Sequence, residues 1–201
     1  MKTRDKIIDT AIALFNEQGT KAVSTNHIAS AVGISPGNLY YHFRNKEDII
    51  RAIFEQMDAY GFEQYQFILN KYQPGTIEAM EQTFAMIQEY NWRYRFFKRE
   101  LSALIMNDPL LKERFQTTNS QMQDMIRYTI DCGVDTGSIK PMTTAEKEHL
   151  VDAIWLVALF WLNYLEIGGE EVNETTLRRG SDVLRTVLRQ YLPAGFPQAL
   201  T

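Results

Sequence analysis

Two short runs of hydrogen-bonding residues near the front of the chain carry the most chemistry per residue. One is Ser24-Thr25; the other runs from Ser35 to His42 and contains Ser35, Gly37, Asn38, Tyr40, Tyr41 and His42. None of these sits in a nucleophile–base arrangement, so the pattern suits recognition rather than bond breaking. An asparagine amide pairs with the edge of adenine, and tyrosine and histidine reach phosphates or thymine methyls. Pro36 and Gly37 are slim enough to let backbone approach a partner closely. Lys46 stands at the start of a following helix, where ammonium and helix dipole both favour a phosphate. The Thr25 hydroxyl, with the free N–H groups of a helix beginning there, can hold another.

Other chemistry is thin. Glu146-x-x-His149 has the spacing of a carboxylate-bridged metal motif, but that site needs a second such pair and two more inward carboxylates. His27 and His42 are the remaining histidines and belong to the front. The bland reading of Glu146 is a solvated helix start. Cys132 lies beside Asp131, an anionic setting that disfavours thiolate. Gly-rich phosphate loops, HExxH and G-x-S-x-G do not occur. The sequence therefore predicts no enzyme, no cofactor and no metal.

The elements that must position these groups read as helices. Ile7, Ile8, Ala11, Leu14 and Phe15 mark one face of a first helix, which Gly19 stops. Ser24 can cap a second, with Ile28, Ala29 and Val32 inward and Gly33 at its end. Ser35 can cap a third, with Pro36 in its first turn and Leu39 and Phe43 inward. Asn45 can cap a fourth. A helix-turn-helix needs a small residue where the second helix crosses, here Ala29, and a left-handed turn residue, here Gly33. Ile28, Val32, Ile34 and Leu39 seal the wedge, and the later helix can enter a major groove.

The stretch TNHIASAVGISPGNLYYHFRNKEDII resembles the DNA-binding domain of the TetR family of bacterial repressors. The likeness rests on Ala29 and Gly33, then on Ser35, Gly37, Leu39, Tyr40, His42, Phe43, Lys46 and Glu47, and spans about residues 5–54. It implies DNA contacts at Thr25, Asn26, Ser35, Pro36, Gly37, Asn38, Tyr40, Tyr41, His42 and Lys46. Base reading would fall on Asn26, Pro36 to Asn38, and Tyr41. Tyr40 also has the option of packing on the first helix, and His42 that of a local hydrogen bonder.

Behind residue 46 the helical segments lengthen, to roughly 46–71, 76–91, 94–106, 109–133, 144–167 and 174–192. The expected fold class is all-α: a three-helix DNA-binding domain over 1–46, then an all-helical ligand-binding and dimerisation domain over 47–201. Residues 1–51 carry seven basic and five acidic side chains, the rest fourteen and twenty. A basic front on an acidic body is a weak pointer to an anionic partner. A single cysteine, the absence of 18 uncharged apolar residues in a row, and charges throughout MKTRDKIIDT lead us to expect a cytoplasmic protein without a membrane partner.

One such reader spans few base pairs, so two copies on a double-stranded palindromic operator are expected, as a homodimer. The candidate interface is Ile154, Val157, Ala158, Trp161 and Leu165 on one helix and Val183, Leu184, Val187, Leu188 and Tyr191 on the next. The aromatic middle offers a candidate effector pocket of Trp92, Phe96, Phe97, Leu104, Met122, Met125, Trp155, Leu159 and Asn163, though the same residues suit plain core. An apolar or aromatic small molecule would be its effector, with the helix from Lys46 as transmitter. The alternative is a DNA-bound protein-interaction factor without an effector.

Overall fold

A computed structural model describes residues 2–193. Among them are nine α-helices and no strand: α1 (Thr3–Ala22), α2 (Thr25–Val32), α3 (Pro36–His42), α4 (Lys46–Lys71), α5 (Ile77–Arg93), α6 (Arg95–Asn107), α7 (Pro109–Asp135), α8 (Thr144–Ile167) and α9 (Glu174–Leu188). A 3-10 turn, Arg189–Tyr191, follows α9. The all-α expectation holds. The chain divides into two compact units: one comprises residues through Gly61 with Tyr94–Phe115, the other Phe62–Arg93 with the chain from Gln116 onward.

In the first unit, α1 buries Ile7, Ile8, Ala11, Ile12 and Phe15. The helical backbone breaks at Gly19 (φ 77°, ψ 159°) and resumes to Ala22. Ile28 and Ala29 of α2, Leu39 of α3, and Ile49, Ile53 and Met57 of α4 complete a core with Phe96 and Phe97 of α6. The Phe97 ring stacks on Phe54 at 5.3 Å and Phe96 meets Phe15 at 5.2 Å. Each such ring contributes about 1.5–3 kcal/mol by leaving water. At the corner before α7, Asp108 accepts the amides of Leu110 and Leu111, both at 3.1 Å, and pairs with Arg51 of α4.

The second unit is built from α5, α7, α8, α9 and the C-terminal part of α4. Phe84, Ile130, Leu150, Val151, Leu184 and Leu188 form its buried cluster. Thr143 caps α8, and the Glu146 carboxylate accepts both the Thr143 amide and hydroxyl at 2.7 Å. Those bonds hold the Glu146 carboxyl below its ordinary range, so the carboxylate of the Glu-x-x-His pair works as a cap. By length and composition α8 is apolar enough to cross a membrane. Six of its apolar residues are buried inside the unit.

Lys98 of α6 is buried in the first unit, and burial pushes its ammonium down to about 8. Below that pH the folded protein must bury a charge. Between it and the free-lysine value near 10.4 the unfolded chain holds the proton that the folded chain has lost, so stability rises with pH. We therefore expect the parent to gain stability relative to Lys98→Met as pH rises from 8 to 10. A gap that stays constant in chemical denaturation across that range would contradict this.

Candidate nucleic-acid interface

The helix-turn-helix is assembled from caps. Ser24 Oγ accepts the amide of His27 at 3.2 Å, while His27 Nδ1 accepts the amide of Ser24 at 3.5 Å. Ser35 Oγ accepts the amide of Asn38 at 3.2 Å, with Pro36 in the first turn of α3. Each cap contributes about 1 kcal/mol and fixes where its helix begins. Between the helices Gly33 takes the left-handed conformation (φ 78°, ψ 34°) and its amide returns to Ser30 O at 3.1 Å. No neighbour lies within 4 Å of the Cβ it lacks, so backbone and not crowding requires glycine there.

The two helices are tied at the surface by a hydrogen bond between the Thr25 and Tyr40 hydroxyls, 3.1 Å apart. Tyr40 therefore serves the packing as well as the outer face; half of it stays exposed. Asn26, Ser35, Pro36, Gly37 and Asn38 are exposed, and Tyr41 is 84% exposed. Thr25 and His42 are half-buried, and the His42 ring meets Tyr41 edge-on at 5.2 Å. Tyr41 and Asn38, exposed and about one turn apart on the short α3, present hydrogen-bonding edges to solvent. Exposed Lys21 and Arg44 were outside the expected set. They lie at the ends of α1 and α3, where only the helix boundaries show that they are near the motif.

Lys46 also works inside the fold. Its ammonium donates to Thr20 O and to Val23 O, the latter at 3.1 Å. These are carbonyls at the end of α1, where a cation is favoured by the helix dipole. Two of its three N–H groups are thereby engaged in holding the α1–α2 link, which leaves the third for a phosphate.

The residues of the expected pocket set fall in both units. Phe96 and Phe97 are fully buried in the core of the first unit, and Leu104 belongs to that unit too. Trp92, Met122, Met125, Trp155, Leu159 and Asn163 belong to the second unit. There Trp155 Nε1 donates to Asn119 at 2.6 Å, Leu159 is core, and Trp92 is half exposed. A shallow cleft, open to solvent, lies among α5, α8 and α9, and none of the nine residues lines it.

The residues of the expected dimer set are buried or half-buried within the second unit. Val157, Ala158, Trp161 and Leu184 line that cleft, Leu165 and Leu188 are buried, and Ile154, Val187 and Tyr191 pack on the second unit's core. Val183 is half-buried. The apolar residues α8 leaves exposed are Leu156, Phe160, Tyr164 and Ile167. Because α8 is apolar nearly all round, its periodicity does not say which face is the inner one.

A capped helix-turn-helix with an exposed second helix, continued by a helical body, defines a DNA-binding regulator. Residues 7–53 match the model for bacterial regulatory proteins of the tetR family, and residues 52–200 match the TetR model described as a bacterial transcriptional repressor. The chain belongs to the TetR family. It is 32% identical over 129 residues to the biofilm operon icaADBC negative transcriptional regulator IcaR of Staphylococcus epidermidis, covering 62% of this chain and 68% of that one. It is 27% identical over 197 residues to the transcriptional repressor KstR2 of Rhodococcus jostii, covering 94% and 87%. A TetR-family regulator from Marinobacter aquaeolei superposes with a TM-score of 0.87 at 33% identity, covering 100% of this chain and 96% of that one.

The Lys46 geometry gives an expected outcome. Lys46→Met should lower stability by about 1–3 kcal/mol, since two carbonyls lose a charged donor. A loss of about one unit from the slope of log affinity against log salt would show the phosphate contact, and an unchanged slope would limit Lys46 to holding the link.

Proposed function

We propose that this TetR-family regulator is a repressor that binds a palindromic operator as a homodimer and is released by a small-molecule effector. The observation that carries the reading is the face formed by Asn26, Pro36, Gly37, Asn38 and Tyr41, exposed on a helix pair whose caps and hydroxyl tie hold it rigid. Residues 1–46 are the reader; residues 47–201 bind effector and partner. Base contacts fall to Asn26, Asn38 and Tyr41, while Thr25, Ser35, Tyr40 and His42 position the backbone. The chain works in the cytoplasm and performs no catalysis of its own.

Dimerisation falls to the outer stripe of α8. Leu156, Phe160 and Tyr164 recur every four residues, and Ile167 extends them. An exposed apolar stripe of this kind suits an isologous contact across a two-fold axis. The effector must bind the DNA-incompetent state more tightly than the competent one, and DNA the reverse. The helices shared by the two units, α4 and α7, are the continuous elements through which that preference passes.

The reading is tested on the DNA upstream of the protein's own gene by fluorescence anisotropy across a salt series. Asn38→Ala and Tyr41→Ala should each weaken specific binding by about 1–3 kcal/mol per lost base contact, with unchanged thermal stability. Phe160→Glu should give a monomer in sedimentation and lose operator affinity with it. Equal affinity of the parent for this DNA, for DNA selected from random pools and for unrelated DNA would contradict the reading. A Phe160→Glu dimer would contradict the interface.

A further inference from the structure

Phe43 closes α3, and an arginine from another helix covers its ring. Phe43 is buried, and the Arg4 guanidinium of α1 lies over it, 5.2 Å from the ring centroid. Arg4 itself is exposed, and so is Arg44, the residue that follows Phe43. Two cations far apart in the chain thus flank the C-terminal end of the exposed helix.

Neither guanidinium is engaged inside the fold. Among the described residues no carboxylate pairs with Arg4 or Arg44, and neither guanidinium donates a hydrogen bond. The nearby carboxylates have other work. Asp5 accepts the Lys2 amide at 3.2 Å. Asp48 accepts the Arg44 amide at 3.0 Å and pairs with Arg51.

A stack uses the face of a guanidinium and leaves its five N–H donors free at the edge. Phe43 therefore orients Arg4 without spending any of its donors. The stack contributes about 0.5–1 kcal/mol at an exposed site, so the charge is left for a group outside the fold. The fork of donors matches two oxygens of one phosphate.

The place on α3 says which phosphate. In helix-turn-helix docking the N-terminal residues of the recognition helix meet base edges, and the opposite end turns toward the sugar–phosphate backbone. Asn38 and Tyr41 precede Phe43 on α3; Arg4 and Arg44 lie past them.

We propose that Arg4 and Arg44 form a phosphate clamp at the C-terminal end of α3, gripping the DNA backbone outside the bases that α3 reads. The clamp supplies affinity and register and reads no base. It rests on α3 being the recognition helix, and is independent of dimer geometry and of any effector.

Fluorescence anisotropy of the full chain between about 50 and 200 mM salt tests it, on a duplex selected from a random pool and on unrelated DNA. Each phosphate contact contributes about 0.9 to the slope of log affinity against log salt. Arg4→Gln and Arg44→Gln should each make the slope shallower by about that amount, and the double variant by about twice as much. Over this salt range each single variant then loses about threefold less affinity than the parent does. Affinity for the two duplexes should fall in equal proportion, because a phosphate contact is blind to sequence. Arg4→Lys keeps the charge and should keep the slope. Lys140→Gln, which removes a positive charge from the second unit, should leave the slope unchanged. A slope that stays put in either arginine variant overturns the clamp. A lowered Tm with an unchanged slope does so too, and makes Arg4 a brace for Phe43. Equal shallowing in Lys140→Gln overturns it in favour of overall charge. A parent that binds both duplexes alike removes the recognition reading and the clamp with it, whereas a parent that prefers the selected duplex while the slopes stay put removes the clamp alone.

Discussion

The short link between α1 and α2 is gripped from two sides by opposite charges, and the rest of the reader depends on that grip. The break at Gly19 leaves the Thr20 amide without a helical acceptor. Glu100 of α6 takes it at 2.8 Å and takes the Thr20 hydroxyl as well. Lys46 of α4 takes the carbonyls of Thr20 and Val23. Charge-assisted bonds of this kind contribute about 1.5–3 kcal/mol apiece when partly buried. The first turn of α6 adds a second anchor on α1, with the Phe96 amide on Asn16 Oδ1 at 3.0 Å and Arg99 on Asn16 O at 3.2 Å. Where α2 starts, and hence where α3 points, follows from those few bonds. A recognition helix of seven residues has too little packing of its own to set its direction.

The second unit uses a different device. Its helices are apolar enough to slide, and long-range polar clasps fix their register. Arg185 reaches Glu81 between α9 and α5, Arg127 reaches Glu148 between α7 and α8, and Tyr65 meets Thr129 between α4 and α7 at 2.6 Å. Each clasp is worth little where it is exposed to solvent. Together they select one packing from several of similar apolar content. Asn91 stands apart among these polar groups, because half of its amide is satisfied and half is not.

The reader was legible because its signals are local. Ser24, Gly33, Ser35 and Asn45 act on backbone within four residues, and each does in the structure what its type implies. The internal role of Lys46 has no local signal, because its partners are carbonyls more than twenty residues upstream. The aromatic residues around Phe96 carry no mark that separates a cavity wall from a core; the structure makes Phe96 and Phe97 core. Rotation of α8 was illegible for the opposite reason. With apolar residues on nearly every face, Leu156 and Phe160 look no more exposed than Ala158 and Leu165. The cleft at Asn91 could not be found from spacing at all, since its lining comes from three helices separated by long stretches of chain.

The central claim is that two copies of an exposed α3 read one symmetric stretch of DNA. Selection of bound duplexes from a random pool, followed by hydroxyl-radical footprinting of the winners, tests it most directly. An inverted repeat is expected, its half-site centres one helical turn, about 34–36 Å, or a multiple of it apart. Protection should fall on one face of the duplex. Enrichment of single, unpaired sites, or no enrichment beyond what charge alone gives, would contradict it.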